Sequence, residues 1–530
     1  MIRLVIAFLC ATAACMLVAG ALQSSAQSTS ASTPDAYFTQ ITDSNRTSST
    51  TQVGSFASDM TSNGRFLVIE SNGDIATEKT ATRNNQDGNR EIFLYDYAQR
   101  RTFQLTNTRS VPKPPGSPSP SPSPSPSPSP SVSPSPSPTV SPTPPVDEPT
   151  ATQIEISNNR PMISVEGTVP AAGQHRYTIV FSSNAPAPAS FDGTTASATD
   201  LSALQSDGNQ ELWIYQFTVA DVALSGGSDP GFTDLSAGAF TRITNTPASR
   251  VPSPGGALSN GTQFPPFIAD DNRDATINDN GQIVAFISTR DLTPGAPGNL
   301  DPTAIAGIGP NPEVFIANIS NPAAPRFTQV TNTVTSSFNN PIFSSDPSLS
   351  GDGSVLTFIS NANITGNNDD GGGLSNAELY VANYSVAGGT ISNMRQVTKT
   401  KDGLPVPTPS ATPGASPTPT ISPDPTATAN LLTFGRRLSR DGRWIAFESL
   451  ASDPKGNTTN TSAYAPFVYD ISTDTFTPLG PHPTDTAIDP ILHVPVFTDY
   501  DAAGHPGSIV WSSALNFTSS GTLVTDSTGL

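Results

Sequence analysis

One short motif recurs along the chain, and a fixed repeating unit constrains a fold more tightly than any local pattern. The stretch "YFTQITDSN" at 37–45 returns as "FQLTNT" at 103, "FTRITNT" at 240, "FTQVTNT" at 327, "MRQVTKT" at 394 and, more loosely, "FTPLGP" at 476. A second element reads "MTSNGRFLVIES" at 60, "INDNGQIVAFIS" at 277, "LSGDGSVLTFIS" at 349 and "LSRDGRWIAFES" at 438, with looser copies at 173 and 504. A polar Asn-Gly or Asp-Gly turn followed by a short apolar run predicts a hairpin whose second strand is buried. Between these two elements lies a third: "REIFLYDY" at 90, "QELWIYQF" at 210, "PEVFIANI" at 312, "AELYVANY" at 377 and "APFVYDIS" at 465. Its residues are apolar on both faces, as in a strand with sheets packed on either side.

The unit is therefore four strands, and four-stranded sheets repeated around an axis make an all-β fold, the β-propeller. Six hairpins, near 60, 173, 277, 349, 438 and 504, predict six blades. The last blade lacks an evident outer strand, and residues 37–42 are predicted to supply it and close the ring. Its third strand is either residues 521–526 or missing, which leaves the last blade incomplete.

The ends and the inserts follow from composition. Residues 1–26 carry one positive charge at Arg3, an apolar run and small residues up to Ala26, the pattern of a cleaved secretory signal peptide. Both cysteines, Cys10 and Cys15, lie within it, so the exported chain is expected to hold no disulfide, thiolate or cysteine metal site. Residues 35–530 read as one propeller domain. Residues 111–150, rich in Pro and Ser, and 404–429, rich in Pro and Thr, cannot build a packed core. They read as extended inserts between blades 1 and 2 and blades 4 and 5, serving as spacers or standing as neutral expansions. A net charge of −19 disfavours nucleic acid and anionic lipid as partners. With no membrane span left after cleavage, a periplasmic or extracellular monomer is expected.

The stretches "QSDGNQELWIYQF", "NQDGNREIFLYDY" and "LSRDGRWIAFES" resemble the repeats of the TolB-like, or WD40-like (PD40), six-bladed propeller family. The resemblance covers nearly the whole exported chain. It implies the fold, and it leaves the activity open because one fold hosts many functions.

Loop lengths point to a face. The links from second to third strand and from blade to blade are long, both emerge on one side of an up-and-down blade, and loops carry function. The same lengths are also what thermodynamically tolerant surface loops would show. On that side Asp87 and Asp207 occupy matching "DGN" turns, and Asp369 and Asp370 sit beside flexible glycine. These four are the candidate ligand-binding residues. An oxygen-rich set without histidine suits calcium, yet the twelve-residue calcium loop is absent and such residues are also ordinary turn formers, so no cofactor is expected. Glu91, Glu211, Glu313 and Glu378 recur at the start of the third strand and are expected to fix blade geometry. No Gly-x-Ser-x-Gly elbow occurs, and His175, His482, His493 and His505 lack zinc spacing. The reading is a non-enzymatic exported propeller that binds a protein, peptide or glycan of the cell envelope. The alternative is a secreted polysaccharide hydrolase or lyase, marked by two carboxylates converging in the central channel.

Overall fold

The computed structural model describes residues 40–42, 44, 53–80, 82–112, 152–195, 209–222, 231–246, 272–293, 311–334, 342–368, 376–400, 429–456, 460–480 and 491–515. The expected signal peptide, Asp207, Asp369, Asp370, residues 521–526 and most of both proline-rich inserts lie outside them.

Short turns and apolar runs fold as up-and-down meanders. The first sheet is β1 (Ser55–Met60), β2 (Phe66–Ser71), β3 (Glu91–Asp96) and β4 (Arg101–Gln104), in that spatial order. A short pair follows, β5 (Val111–Pro112) with β6 (Thr152–Ile154). The second sheet contains β7 (Asn158–Ile163), β8 (Thr168–Ala171), β9 (Gln174–Ser183), β10 (Glu211–Ala220) and β11 (Ala239–Arg242), with β8 a side strand on β9. Three further four-stranded sheets run in chain order. They are β12 (Asn272–Ile277), β13 (Ile283–Ser288), β14 (Glu313–Asn318), β15 (Arg326–Gln329); β16 (Ser344–Leu349), β17 (Val355–Ser360), β18 (Glu378–Ser385), β19 (Thr390–Gln396); and β20 (Asn430–Leu431), β21 (Trp444–Ala451), β22 (Asn460–Asp470), β23 (Thr475–Pro478). The hairpin of β24 (Val496–Thr498) and β25 (Ser508–Val510) comes last.

The third strands are buried on both faces: every residue of β3 and β14 is inaccessible. The core accordingly lies between sheets. Val180, Leu212 and Ile214 of the second sheet pack on Val284, Phe286 and Phe315 of the third, and Ile243 caps the seam. Ile41 packs against Ile69, Phe93 and Tyr95 of the first sheet, in the same relation that Ile243 bears to the third. Residues 40–42 themselves form no strand, and β24 and β25 pair only with each other among the described residues.

Two sets of hydrogen bonds bind neighbouring sheets. The first joins the turns between inner and second strands in series. Ser62 donates its N–H to the Val165 carbonyl, Glu166 to Asp279, Asp279 to Gly351, Gly351 to Arg440 and Asp441 to Gly504, at 2.8–3.0 Å. Six turns are thus linked one to the next. The approach is close enough at Gly351 that a β-carbon there would fall 2.3 Å from an Asp279 carboxylate oxygen and 3.0 Å from the Arg440 carbonyl, so a side chain has no room.

The second set explains the recurring Glu and the Thr-x-Thr that ends each repeat. Glu91 accepts bonds from the Thr108 N–H (2.6 Å) and hydroxyl (2.7 Å), from Asn89 (3.1 Å) and from Asn158 of the next sheet (3.1 Å). Glu211 does the same with Thr244, Thr246 and Asn272, and Glu378 with Thr398, Thr400 and Asn430. Glu313 takes Thr331, Thr333 and Asn311. The expected role of these glutamates in blade geometry is what the structure shows. In the fifth sheet Ala465 pairs with Ser449 where Glu313 pairs with Ser288 in the third. There Glu448 accepts from the N–H groups of His493 (2.9 Å) and Val494 (3.0 Å) and bonds the His493 ring. His493, in the loop ahead of β24, is buried in this clasp.

Each clasp is a desolvated carboxylate that accepts from several donors at once. Replacing Glu378 by Ala removes the acceptor of the Thr398 hydroxyl and the Thr400 N–H and is expected to lower unfolding free energy by about 3 kcal/mol. A fall in the urea midpoint checks this, and an unchanged midpoint would contradict the role given to the clasp.

Candidate functional site

The innermost strands converge, and what lies among them is charged. Arg160, Asp274 and Asp346 occupy the third position of β7, β12 and β16, and all three adopt left-handed backbone, with φ of 52°, 56° and 51°. For residues other than glycine that conformation costs on the order of 1 kcal/mol each, and such strain clusters where a side chain must be aimed. Each falls in a register break of its inner strand, so the extra residue leaves the ladder.

The aimed groups form one chain of charge. Glu70 bonds the Arg90 guanidinium and, at 2.7 Å, the Arg160 N–H. Arg160 pairs with Asp274, and the Arg273 guanidinium stands 3.8 Å from the second oxygen of the same carboxylate. Asp346 lies within electrostatic reach of Asp274, Arg160 and Arg437. Burial, reinforced by the neighbouring Asp274 charge, pushes its carboxyl up to about 6. Residues from four sheets therefore meet at the axis, at the end of the inner strands nearer the long loops.

At the other end the axis is filled by an insert. In the third sheet Asn272 pairs with Ser288 and Ile277 with Val284, five residues on; in the fifth, Asn430 pairs with Ser449 but Leu438, eight residues on, bridges Ile445. The three additional residues carry "LTFGRR" inward, with Gly435 at φ 114° allowing the turn. Arg436 pairs with Asp59 of β1 (3.1 Å) and donates to the carbonyls of Ile163 in β7 (2.6 Å) and Ile277 in β12 (2.8 Å). The Arg437 N–H reaches the Ser348 hydroxyl in β16 (2.9 Å), and its guanidinium the Pro495 carbonyl ahead of β24 (3.3 Å). Phe434 lies beneath the Arg160 guanidinium, 5.2 Å from it. Two consecutive arginines thus touch the inner segment of every other sheet. The sequence signal was the lengthened spacing between Asn430 and "SRDG", which motif matching alone passes over.

Of the residues expected to bind ligand, Asp87 is exposed on its turn, with Arg109 and Asp192 nearby. The other three fall outside the described residues. Among the described residues no group of three or more His, Cys, Asp or Glu could hold a metal ion. No helix among them is long and apolar enough to cross a membrane. An open cleft of about 320 Å³ beside β10, lined by Arg176, Gln216 and Asp234 among others, offers less chemistry, since Asp234 is engaged by Ser236.

No family model matches the chain, and no curated protein matches it. Similar solved structures include TolB from Acinetobacter baumannii, at 10% identity over 80% of this chain and 53% of that one, with a TM-score of 0.30. A prolyl endopeptidase aligns at 9% identity over 79% and 33%, TM-score 0.30. The periplasmic gluconolactonase of Pseudomonas aeruginosa aligns at 10% identity over 79% and 83%, TM-score 0.24. The chain thus spans about half the length of TolB and a third of the endopeptidase. The expectation of a protein without enzymatic activity is corrected here: the similar structures include enzymes. Two carboxylates, 72 residues apart in sequence, also lie within electrostatic reach of one another, a relation that no local motif announces.

Arg436 is the central cation of the filled end. Arg436→Met leaves Asp59 buried without its partner and should lower stability by about 3 kcal/mol, read as a loss of urea resistance. Retention of full stability would show that the insert is not a tie between sheets.

Proposed function

We propose that the protein is an exported, six-bladed β-propeller hydrolase that cleaves a polysaccharide at its axial pocket. The observation that carries this reading is the meeting of Asp274 and Asp346, from equivalent left-handed positions of adjacent inner strands. Glycoside hydrolysis needs two carboxyl groups whose environments differ. Asp346, half-buried and within reach of a second acid, is the proton donor to the leaving oxygen. Asp274, paired with Arg160 and Arg273, is the charged partner that acts as base or nucleophile.

Six turns bonded in series and the seat of Ile41 on the first sheet support a ring of six closed near the amino terminus. The charge and hydropathy pattern of residues 1–26 supports export. Asp87, exposed on its turn, would contact the substrate outside the reacting centre.

Release of reducing ends from a panel of envelope and plant polysaccharides tests the reading. Asp346→Asn should reduce turnover about 100-fold or more, the scale of losing a general acid. Because the acid must be protonated, kcat/KM should fall as pH rises through about 6. Asp274→Asn removes the charge that helps hold the Asp346 proton, so any residual activity should lose that limb at lower pH. Equal activity of wild type and Asp346→Asn would overturn the assignment.

A further inference from the structure

Three half-exposed arginines stand among the charges at the converging inner strands. Arg90, Arg160 and Arg273 belong to the same chain of charge, and their side chains are 52%, 49% and 43% exposed. Two arginines that tie sheets together, Arg65 and Arg436, are more enclosed, with side chains 7% and 19% exposed. The rim arginines are anchored on one side only. Glu70 holds Arg90, and Asp274 holds Arg160 and Arg273, while each guanidinium has five N–H donors in a planar fork. That leaves each with donors turned to solvent, in the geometry that grips a carboxylate with two parallel bonds. A neutral sugar hydroxyl accepts from such a fork singly, whereas a carboxylate takes two parallel charge-assisted bonds from it.

We propose that this rim selects an acidic saccharide, a uronate-bearing polymer, by pairing substrate carboxylates with Arg90, Arg160 and Arg273. The inference rests on the axial-pocket reading and names its substrate class. Arg160 links recognition to chemistry, since the same side chain touches Asp274 and lies over Phe434. Arg90 and Arg273 stand on either side of it, so a substrate carboxylate held at the mouth places the adjoining glycosidic bond toward the two aspartates.

Binding is measured by calorimetry on Asp346→Asn protein, which removes turnover, with trimers of galacturonate, glucuronate and mannuronate and with their methyl esters. The ester keeps the sugar and removes the charge. At least one acid should bind about tenfold or more tightly than its ester. Arg90→Gln and Arg273→Gln, both at half-exposed positions, should each weaken the acid about fivefold and leave the ester unchanged, with the β-sheet circular dichroism retained. Equal binding of acid and ester, binding of none of the acids, or insensitivity to both substitutions would overturn the proposal. Acid-selective binding by a protein whose wild type cleaves no polysaccharide would keep the rim assignment and remove the hydrolase reading. Cleavage confined to neutral polymers would do the reverse.

Discussion

A carboxylate buried between two sheets is the constraint on which the ring rests. The sheet that owns Glu91, Glu211 or Glu378 supplies two threonines from its own outer strand, while the next sheet supplies one asparagine from its inner strand. Burial pushes Glu91 up to about 7 against these donors, which pull the other way. A carboxyl in that position is tolerable only if every donor arrives. The clasp therefore reads out whether the neighbouring sheet is docked in register, and it does so with few residues per repeat. Hydrophobic area between sheets supplies attraction without direction; the glutamates supply the direction.

Where the clasp changes, the ring changes with it. The fifth sheet lacks the third-strand glutamate and turns to Glu448 and His493 instead. The same sheet carries the three-residue insert that sends Arg436 and Arg437 into the axis. One repeat has thus departed from the common pattern twice, and both departures tie it to segments at the start and end of the described chain. Asp59 of the first sheet and Pro495 before the last hairpin are both reached from "LTFGRR".

Much of the fold was legible because its period was written in residues with single roles. The Gly turns, the aromatic third strands and the Thr-x-Thr endings each map onto one strand or one bond, and the repeated glutamates announced themselves at a fixed offset. The pocket was not legible in the same way. Arg160, Asp274 and Asp346 share no motif; they share a backbone conformation and a position in a broken ladder, which only coordinates reveal. Asp87 was drawn to notice by its turn, and turn chemistry says nothing of what faces the axis. The clasp made by His493 was not legible because it depends on the absence of a glutamate at Ala465, a negative signal in the preceding repeat.

The insert of the fifth sheet also sets how anything passes in or out. With Arg436 and Arg437 lodged among the inner segments, the ring is a cup and not an eyelet. On the proposed function, a polymeric substrate would enter and leave by one opening and present its tip or a side branch before its middle.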